Sequence, residues 1–277
     1  MKTKSIFISA LLIFSVTILK AQLYLGLGAG YCMPTYRSVI GYNVEQNNPG
    51  NTFSDENVIG SYGKGIDFGG YLGYKINDNV GIELGVNYLM GGKYTFTQNF
   101  VNGNGTDNRS TDMRVKSLRL NPSIRIGYGD GKFRPYSHAG LTIGVMNKMT
   151  SDYSRTFSNP GTTDITLETS EYTGGTYIGF TAGLGVMMSL SDKLSLFGEF
   201  TAYYISWAAR TGEITSSTFN GADELGSMTT NEKHFEYVDK VDQSMNTNSS
   251  QPTQELRTFS PMGSLGITIG LHFAFGE

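Results

Sequence analysis

The sequence has one cysteine, Cys32, among 277 residues, which excludes an intrachain disulfide and a cysteine-rich metal site. Charged residues make up only 16% of the chain, against roughly 25% in ordinary soluble proteins. The formal net charge is −3, so the chain lacks the basic surface that nucleic acids require. Beyond residue 21 no long apolar run occurs, which excludes a bundle of transmembrane helices.

The first 21 residues have the pattern of an export signal. A positive segment with Lys2 and Lys4 precedes an apolar stretch that ends at Leu19. Such a stretch is too short to span a bilayer, which needs about 20 residues, and it is typical of a cleavable signal peptide. The sequence therefore predicts a Sec signal peptide over residues 1–21 and an exported domain over residues 22–277.

What the chain has in abundance is glycine, with 36 residues, and aromatic residues at 12%. Apolar side chains alternate with glycine and polar residues from residue 23 onward, which is typical of strands with one apolar face. The same alternation recurs in eight segments. These segments are 23–31, 66–74, 80–88, 118–128, 133–145, 178–188, 194–204 and 259–275.

The connections between these segments alternate between short and long. Short polar turns lie around Asp78, Asp130 and Asp192. Short turns that alternate with long loops are typical of the periplasmic and extracellular ends of a transmembrane barrel. We therefore predict an all-β fold, an eight-stranded antiparallel up-and-down transmembrane β-barrel with short periplasmic turns and long extracellular loops. The predicted long loops are 32–64, 92–113, 147–174 and 206–256.

Three features leave the strand count open. Pro122 and Pro261 fall inside predicted strands, where each removes a ladder hydrogen bond or marks a bulge. The segments 93–100 and 166–172 could extend strands beyond the membrane, so a ten-stranded barrel is an alternative. Residues 231–243 have apolar spacing that is typical of a helix.

Three segments resemble a known family. They are 119–128, 133–140 and the closing run 266–275. The chain resembles the small outer-membrane-protein β-barrel domain family that is common in Bacteroidota and is often called porin-like or PorT-like. The resemblance implies a barrel related in shape to OmpA-, OmpX- and OmpW-like proteins, and it carries no catalytic residue to any position here.

The inward-facing phase of the predicted strands holds the candidate site, a polar network in the lumen. Cross-strand pairing would place Glu83 and Arg125 at the same height on adjacent strands, where opposite charges attract. An eight-stranded barrel is just wide enough to be filled by its own side chains, which predicts a closed polar plug. A narrow charge-lined path for solutes is the alternative. The network comprises Asp67, Glu83, Arg119, Arg125, Arg134, His138, Glu199 and His272.

The sequence offers no catalytic or metal centre. Outer-membrane barrels that resemble lipid A deacylases place histidine and serine on the lipid-facing surface. Here His138 and His272 face inward by phase, and His234 lies in a loop. Two imidazoles without a third ligand are weak support for a metal site. We therefore predict no enzyme activity, no metal and no cofactor, with a lipid-modifying enzyme as the least favoured alternative.

The predicted function is a scaffold in the outer membrane, with a plugged lumen, that presents extracellular loops. The loop 206–256 offers apolar contact points at Trp207, Phe219, Phe235 and Tyr237. The expected partners are outer-membrane lipids and lipopolysaccharide, periplasmic chaperones and the barrel-assembly machinery, and an envelope or host-surface partner at the loops. A narrow porin-like channel is the alternative function.

Overall fold

A computed structural model describes residues 23–35, 38–127, 129–243 and 245–275, so the predicted signal peptide lies outside the described residues. The strands, in chain order, are β1 (Leu23–Pro34), β2 (Ser38–Asn47), β3 (Thr52–Gly60), β4 (Gly65–Lys75), β5 (Val80–Gly91), β6 (Tyr94–Asn102), β7 (Gly105–Gly127), β8 (Phe133–Asn159), β9 (Thr162–Thr173), β10 (Tyr177–Ser189), β11 (Leu194–Tyr204), β12 (Ser206–Trp207), β13 (Thr211–Phe219), β14 (Ala222–Asp223), β15 (His234–Val238), β16 (Thr253–Leu256), β17 (Ser260–Pro261) and β18 (Ser264–Ala274). One helix, α1 (Thr230–Lys233), and a 3-10 turn at Met245–Thr247 complete the described secondary structure. The predicted all-β class is confirmed. In the described part of the chain, no helix has the length and apolar character needed to cross a membrane.

Eight of these strands pair in a closed ring. Around the ring the order is β1, β4, β5, β7, β8, β10, β11 and β18, and β18 pairs back with β1. All eight pairings in the ring are antiparallel. These strands coincide with the eight alternating segments of the sequence, because alternation requires one face against a packed interior and one against a different surrounding.

The prediction of an eight-stranded barrel with long loops is confirmed only in part, because the described chain has eighteen strands. Strands β7 and β8 are 23 and 27 residues long and continue past the ring at the long-loop end. There they carry β9, β13, β15 and β16 on one side and β6, β2 and β3 on the other. The predicted long loops are therefore largely a sheet, which we call the long-loop sheet and which comprises these seven strands and the outer halves of β7 and β8.

The helix predicted from the apolar spacing of 231–243 is also largely wrong. Helix α1 ends at Lys233, and the next five residues form β15. The cause is tertiary, because β15 pairs with both β13 and β16. Such pairing outweighs a local spacing that is weak over so few residues.

Glycine residues make room for aromatic side chains inside the ring of eight strands. Gly26 lies directly opposite Tyr71, and Gly73 lies directly opposite Tyr24. A Cβ atom added at Gly26 would lie 2.1 Å from Cζ of Tyr71, so any other residue here would clash with the tyrosine side chain. Large side chains of one strand thus cover the bare glycines of the next, which packs this part of the interior closely.

The two prolines have different outcomes. Pro122 lies in β7, and the bridges to β8 lapse at Asn121 and Pro122 and resume at Ser123, opposite Gly140. A Cβ atom added at Gly140 would lie 2.1 Å from the carbonyl oxygen of Pro122, so this glycine permits a close approach of the two backbones. Pro261, by contrast, lies in the short strand β17 and not in a ring strand.

The outward face of the ring is apolar. On β10 the side chains of Ile178, Phe180 and Leu184 are 70%, 65% and 68% exposed. A band of exposed apolar side chains of this extent marks contact with something other than water.

Candidate functional site

The interior of the ring holds two buried ion pairs that join guanidinium and carboxylate groups. Arg119 on β7 reaches across β5 to Asp67 on β4, with 2.8 Å between Nη2 and Oδ2. Arg119 is 0% exposed and Asp67 is 4% exposed. The guanidinium carbon of Arg119 lies 4.2 Å from the ring centre of Tyr203, which adds a cation–π contact. Neither charge has access to bulk water, so each depends on the other for compensation.

The second pair joins Arg125 to Glu83, with 2.7 Å between Nη1 and Oε1. The register places Glu83 opposite Ser123 and Arg125 opposite Gly81. The expectation that the two residues lie at the same height is therefore wrong, and the contact is diagonal. The long arginine side chain spans the offset, and its guanidinium carbon lies 3.7 Å from the ring centre of Tyr136.

The remaining predicted lumen residues have other partners. His138 Nε2 lies 3.2 Å from Oε1 of Glu199, and Arg134 donates from Nη2 to Oγ of Ser195 at 3.0 Å. His272 Nδ1 lies 3.1 Å from the hydroxyl of Tyr71. The eight predicted residues thus all face the interior. Tyr71 links the Arg125–Glu83 pair to His272, whereas these ion pairs and hydrogen bonds do not join the other five residues to this chain.

An apolar cluster lies on the same interior side toward the long-loop end. Trp207 is 2% exposed, which corrects its prediction as an exposed contact point of the loop. Its Nε1 donates to the carbonyl oxygens of Gly174 at 2.8 Å and Gly175 at 3.1 Å. Sequence reasoning missed the cluster because, of its buried members, only Tyr203 and Met262 lie in predicted strands. We call it the apolar plug; its buried members are Cys32, Tyr62, Leu89, Val115, Met149, Tyr177, Tyr203, Ile205, Trp207 and Met262.

Two interior cavities are lined by the polar side chains. The larger, about 280 Å³, lies at the short-turn end and is lined by Arg125, Arg134 and His272 together with residues of the three short turns. The smaller, about 70 Å³, lies deeper, among Asp67, Glu199 and their neighbours. That volume is room for ordered water molecules among these polar groups.

The described residues contain no group of three histidine, cysteine, aspartate or glutamate side chains that could hold a metal ion. His138 and His272 make their contacts with Glu199 and Tyr71. In the long-loop sheet, His234 Nδ1 lies 4.0 Å from Oε1 of Glu213. The arrangement of the interior therefore supplies charge pairing and packing.

A further charged cluster, absent from the sequence-based expectations, lies in the long-loop sheet. Asp107 accepts from Nε and Nη2 of Arg155 at 2.9 and 2.8 Å and from Nη2 of Arg109 at 2.6 Å. Arg109 and Arg155 are directly opposite on β7 and β8, so the carboxylate relieves the repulsion between them. Hydrogen bonds from Arg155 and Arg109 hold the pKa of Asp107 well below its usual range.

We expect Asp107→Asn to loosen the outer halves of β7 and β8 by about 1–3 kcal/mol at pH 7, the cost of losing hydrogen bonds to a charged group. A lowered folded pKa stabilises the fold above the unfolded value of about 3.9 and ceases to do so as the pH falls through the folded value. The difference from wild type should therefore shrink below about pH 4. Hydrogen exchange of the outer halves of β7 and β8, compared at pH 7 and below about pH 4, measures this difference in stability. Asp130→Asn, at the opposite end of the ring, is the control, and equal effects of the two variants would contradict the assignment.

Comparison with known proteins places the chain by family. No curated protein matches it. Among solved structures, Acinetobacter baumannii CarO is 15% identical over 89% of this chain and 96% of its own, with a TM-score of 0.32. CarO2 of the same organism is 14% identical over 91% and 99%, with a TM-score of 0.33. A major outer membrane protein from Thermus thermophilus is 12% identical over 92% and 100%, with a TM-score of 0.42. Because all three TM-scores are below 0.5, these likenesses carry no conclusion about this chain.

A family match, by contrast, covers more than half of the chain. The family described as "Outer membrane protein beta-barrel domain" matches residues 7–222, which include all of the ring strands except β18. Proteins of this family lie in the outer membrane, and the match covers most of the chain. The chain therefore belongs to the outer membrane protein β-barrel domain family.

Proposed function

We propose that the eight-stranded ring spans the outer membrane and that the protein is a closed scaffold that presents the long-loop sheet. Strands β1, β4, β11 and β18 have 11 or 12 residues, close to the 9–11 that cross a bilayer when tilted. The exposed apolar face of the ring suits lipid. We also propose that the chain is exported through the signal peptide and that periplasmic chaperones deliver it to the barrel-assembly machinery. In the membrane it would contact lipids and lipopolysaccharide.

The observation that carries the closed state is the succession of obstacles along the interior. The Arg125–Glu83 pair lies near the short turns, and the Arg119–Asp67 pair lies near the long-loop end. The apolar plug then contains side chains that are almost fully buried, such as Leu89. A hydrated path would have to separate these contacts, and the buried charges depend on them.

We expect the folded protein to be silent in planar bilayers and its thiol to be unreactive. Cys32 is the only cysteine and it lies in the apolar plug, 1% exposed. A small water-soluble thiosulfonate should label Cys32 only after unfolding. Adding Ser54→Cys on the exposed strand β3 should give one labelled site in the folded state.

A narrow porin-like channel is the second candidate, and the charge-lined cavities favour it. Discrete openings that shift when Glu83 or Arg125 is neutralised, together with rapid labelling of Cys32 in the folded protein, would establish this alternative. Absence of conductance together with a protected Cys32 thiol would support the scaffold function.

The presenting role depends on the long-loop sheet and on a partner at the cell surface or in the envelope. Exposed apolar side chains of that region include Phe53, Leu256 and Phe259, which offer contact points to a partner. A strain that produces the protein with residues 211–256 replaced by a short turn should show the same loss of envelope integrity or surface binding as a strain without the protein. Full function of the shortened form, once its folding is verified, would refute a role for this part of the sheet.

A further inference from the structure

The cavity at the short-turn end combines positive charge with unused hydrogen-bond donors. Its volume is about 280 Å³, and the exposed turn residues Asp78, Asp130 and Asp192 lie at its mouth. Asp78 is paired with Lys75 at 3.2 Å. The side chains of Arg125, Arg134 and His272 line it farther along the strands.

Arg134 has a positive charge that no carboxylate of the described chain matches within 4.0 Å. Its Nη2 donates to Ser195, but its buried Nε has no acceptor among the residues that the structure describes. A half-buried guanidinium group that lines the cavity and has no carboxylate partner favours an anion.

Arg125 supplies a second unused donor to the same cavity. The residue is only 6% exposed, and its Nη1 is taken by Glu83 and by the hydroxyl of Tyr71. Its Nη2 is buried and has no acceptor within the described ranges. Arg125 is among the residues that line the cavity, so an almost fully buried guanidinium with an unpaired donor lies at its wall.

The hydrogen-bond chain through Tyr71 makes His272 a donor as well. Arginine can only donate, so the Tyr71 hydroxyl accepts from Arg125 at 3.3 Å. The hydroxyl hydrogen is then available to Nδ1 of His272, 3.1 Å away. A neutral imidazole that accepts at Nδ1 carries its hydrogen on Nε2.

We propose that this cavity binds a small oxyanion, a carboxylate or phosphate group, between Arg134, Arg125 and His272. Both guanidinium groups and the imidazole are donors, and two of the three are permanently charged, which is the donor set that oxyanions require. The site lies on the short-turn side of the Arg125–Glu83 pair, so its occupancy does not depend on the scaffold role or on conduction.

The test is calorimetric titration of the refolded full chain in nonionic detergent with inorganic phosphate and with acetate, at constant ionic strength set by chloride. We expect saturable binding of at least one oxyanion and about a tenfold or greater weakening by Arg134→Gln, since the lost hydrogen bonds involve a charged group. Lys132→Gln removes the same charge from the neighbouring exposed turn and should leave binding unchanged. Tighter binding of phosphate than of acetate assigns a phosphate group, and the reverse assigns a carboxylate.

Two results would overturn the proposal. One is the absence of binding of either oxyanion beyond that of chloride. The other is equal binding by the Arg134→Gln and Lys132→Gln proteins. If Arg134→Gln does not fold, Ser195→Ala decides, because it removes only the hydroxyl that holds Arg134. Unchanged affinity in a folded Ser195→Ala protein would then exclude Arg134 from the site.

Discussion

Replacing Arg119 by methionine should destabilise the folded protein by about 3–5 kcal/mol, the cost of leaving a buried charge without its partner. Asp67 is 4% exposed and would keep a carboxylate whose counter-charge, 2.8 Å away, is gone. The donors that remain beside it are neutral, the hydroxyl of Tyr203 and the amide of Asn87, the latter at 3.5 Å from Oδ2. A neutral amide at that distance offsets little of the loss. The remaining carboxylate must therefore either stay charged in a poor environment or take up a proton.

Unfolding in urea, followed in detergent or bicelles, measures the effect. The single tryptophan of the chain lies in the apolar plug and reports on its loss through fluorescence. The matched control is Arg114→Met on the same strand, because Arg114 also pairs with an aspartate, Asp152, at 3.1 Å. Its pair is 45% and 42% exposed at the side chains, so its loss should cost less than about 1 kcal/mol.

The double variant Arg119→Met with Asp67→Asn separates charge from packing. Removing both charges leaves no uncompensated charge, and replacement of a buried ion pair by neutral side chains is often neutral or favourable. We expect the double variant to regain most of the stability lost by Arg119→Met alone. If the second substitution added to the damage instead, the pair would be contributing through shape and not through charge.

The ring strands could be predicted from the sequence because each separates two different surroundings. Residues 80–88 alternate along β5, and the inward phase identified Glu83 and Arg125, which the structure joins at 2.7 Å. The partner of Arg119 could not be assigned in this way. Asp67 lies two strands away on β4, and only the curvature of the closed ring brings the two together.

The long-loop sheet could not be predicted for a different reason. Strand β9 is rich in threonine, and its outward apolar residues Ile165 and Leu167 are exposed. No core selects one face of such a strand, so the sequence shows few of the alternating signals that mark the ring. Its strands form because β7 and β8 extend beyond the ring and offer open edges to pair with.

Trp207→Ala should cost about 3–5 kcal/mol, the usual loss when a buried tryptophan is truncated in a core. The side chain joins β12 to the turn that precedes β10, because it donates from Nε1 to the Gly174 and Gly175 carbonyl oxygens. Both glycines have positive φ, 78° and 71°, so the chain adopts there a conformation that few other residues allow. The tryptophan holds that turn against the apolar plug.

Three variants, compared by their stability and by the reactivity of the Cys32 thiol, separate the contributions of Trp207. Trp207→Phe keeps an aromatic ring without the donor and should cost less than Trp207→Ala, while Phe259→Ala, at a 65% exposed position, should change stability by at most about 0.5 kcal/mol. Gel mobility before and after heating follows unfolding without tryptophan fluorescence. In the Trp207→Ala protein, the Cys32 thiol, a member of the same plug, should become reactive while the ring is still folded. If Cys32 stays protected although stability falls, Trp207 anchors the turn but does not close the interior, and closure must then rest on the ion pairs below it.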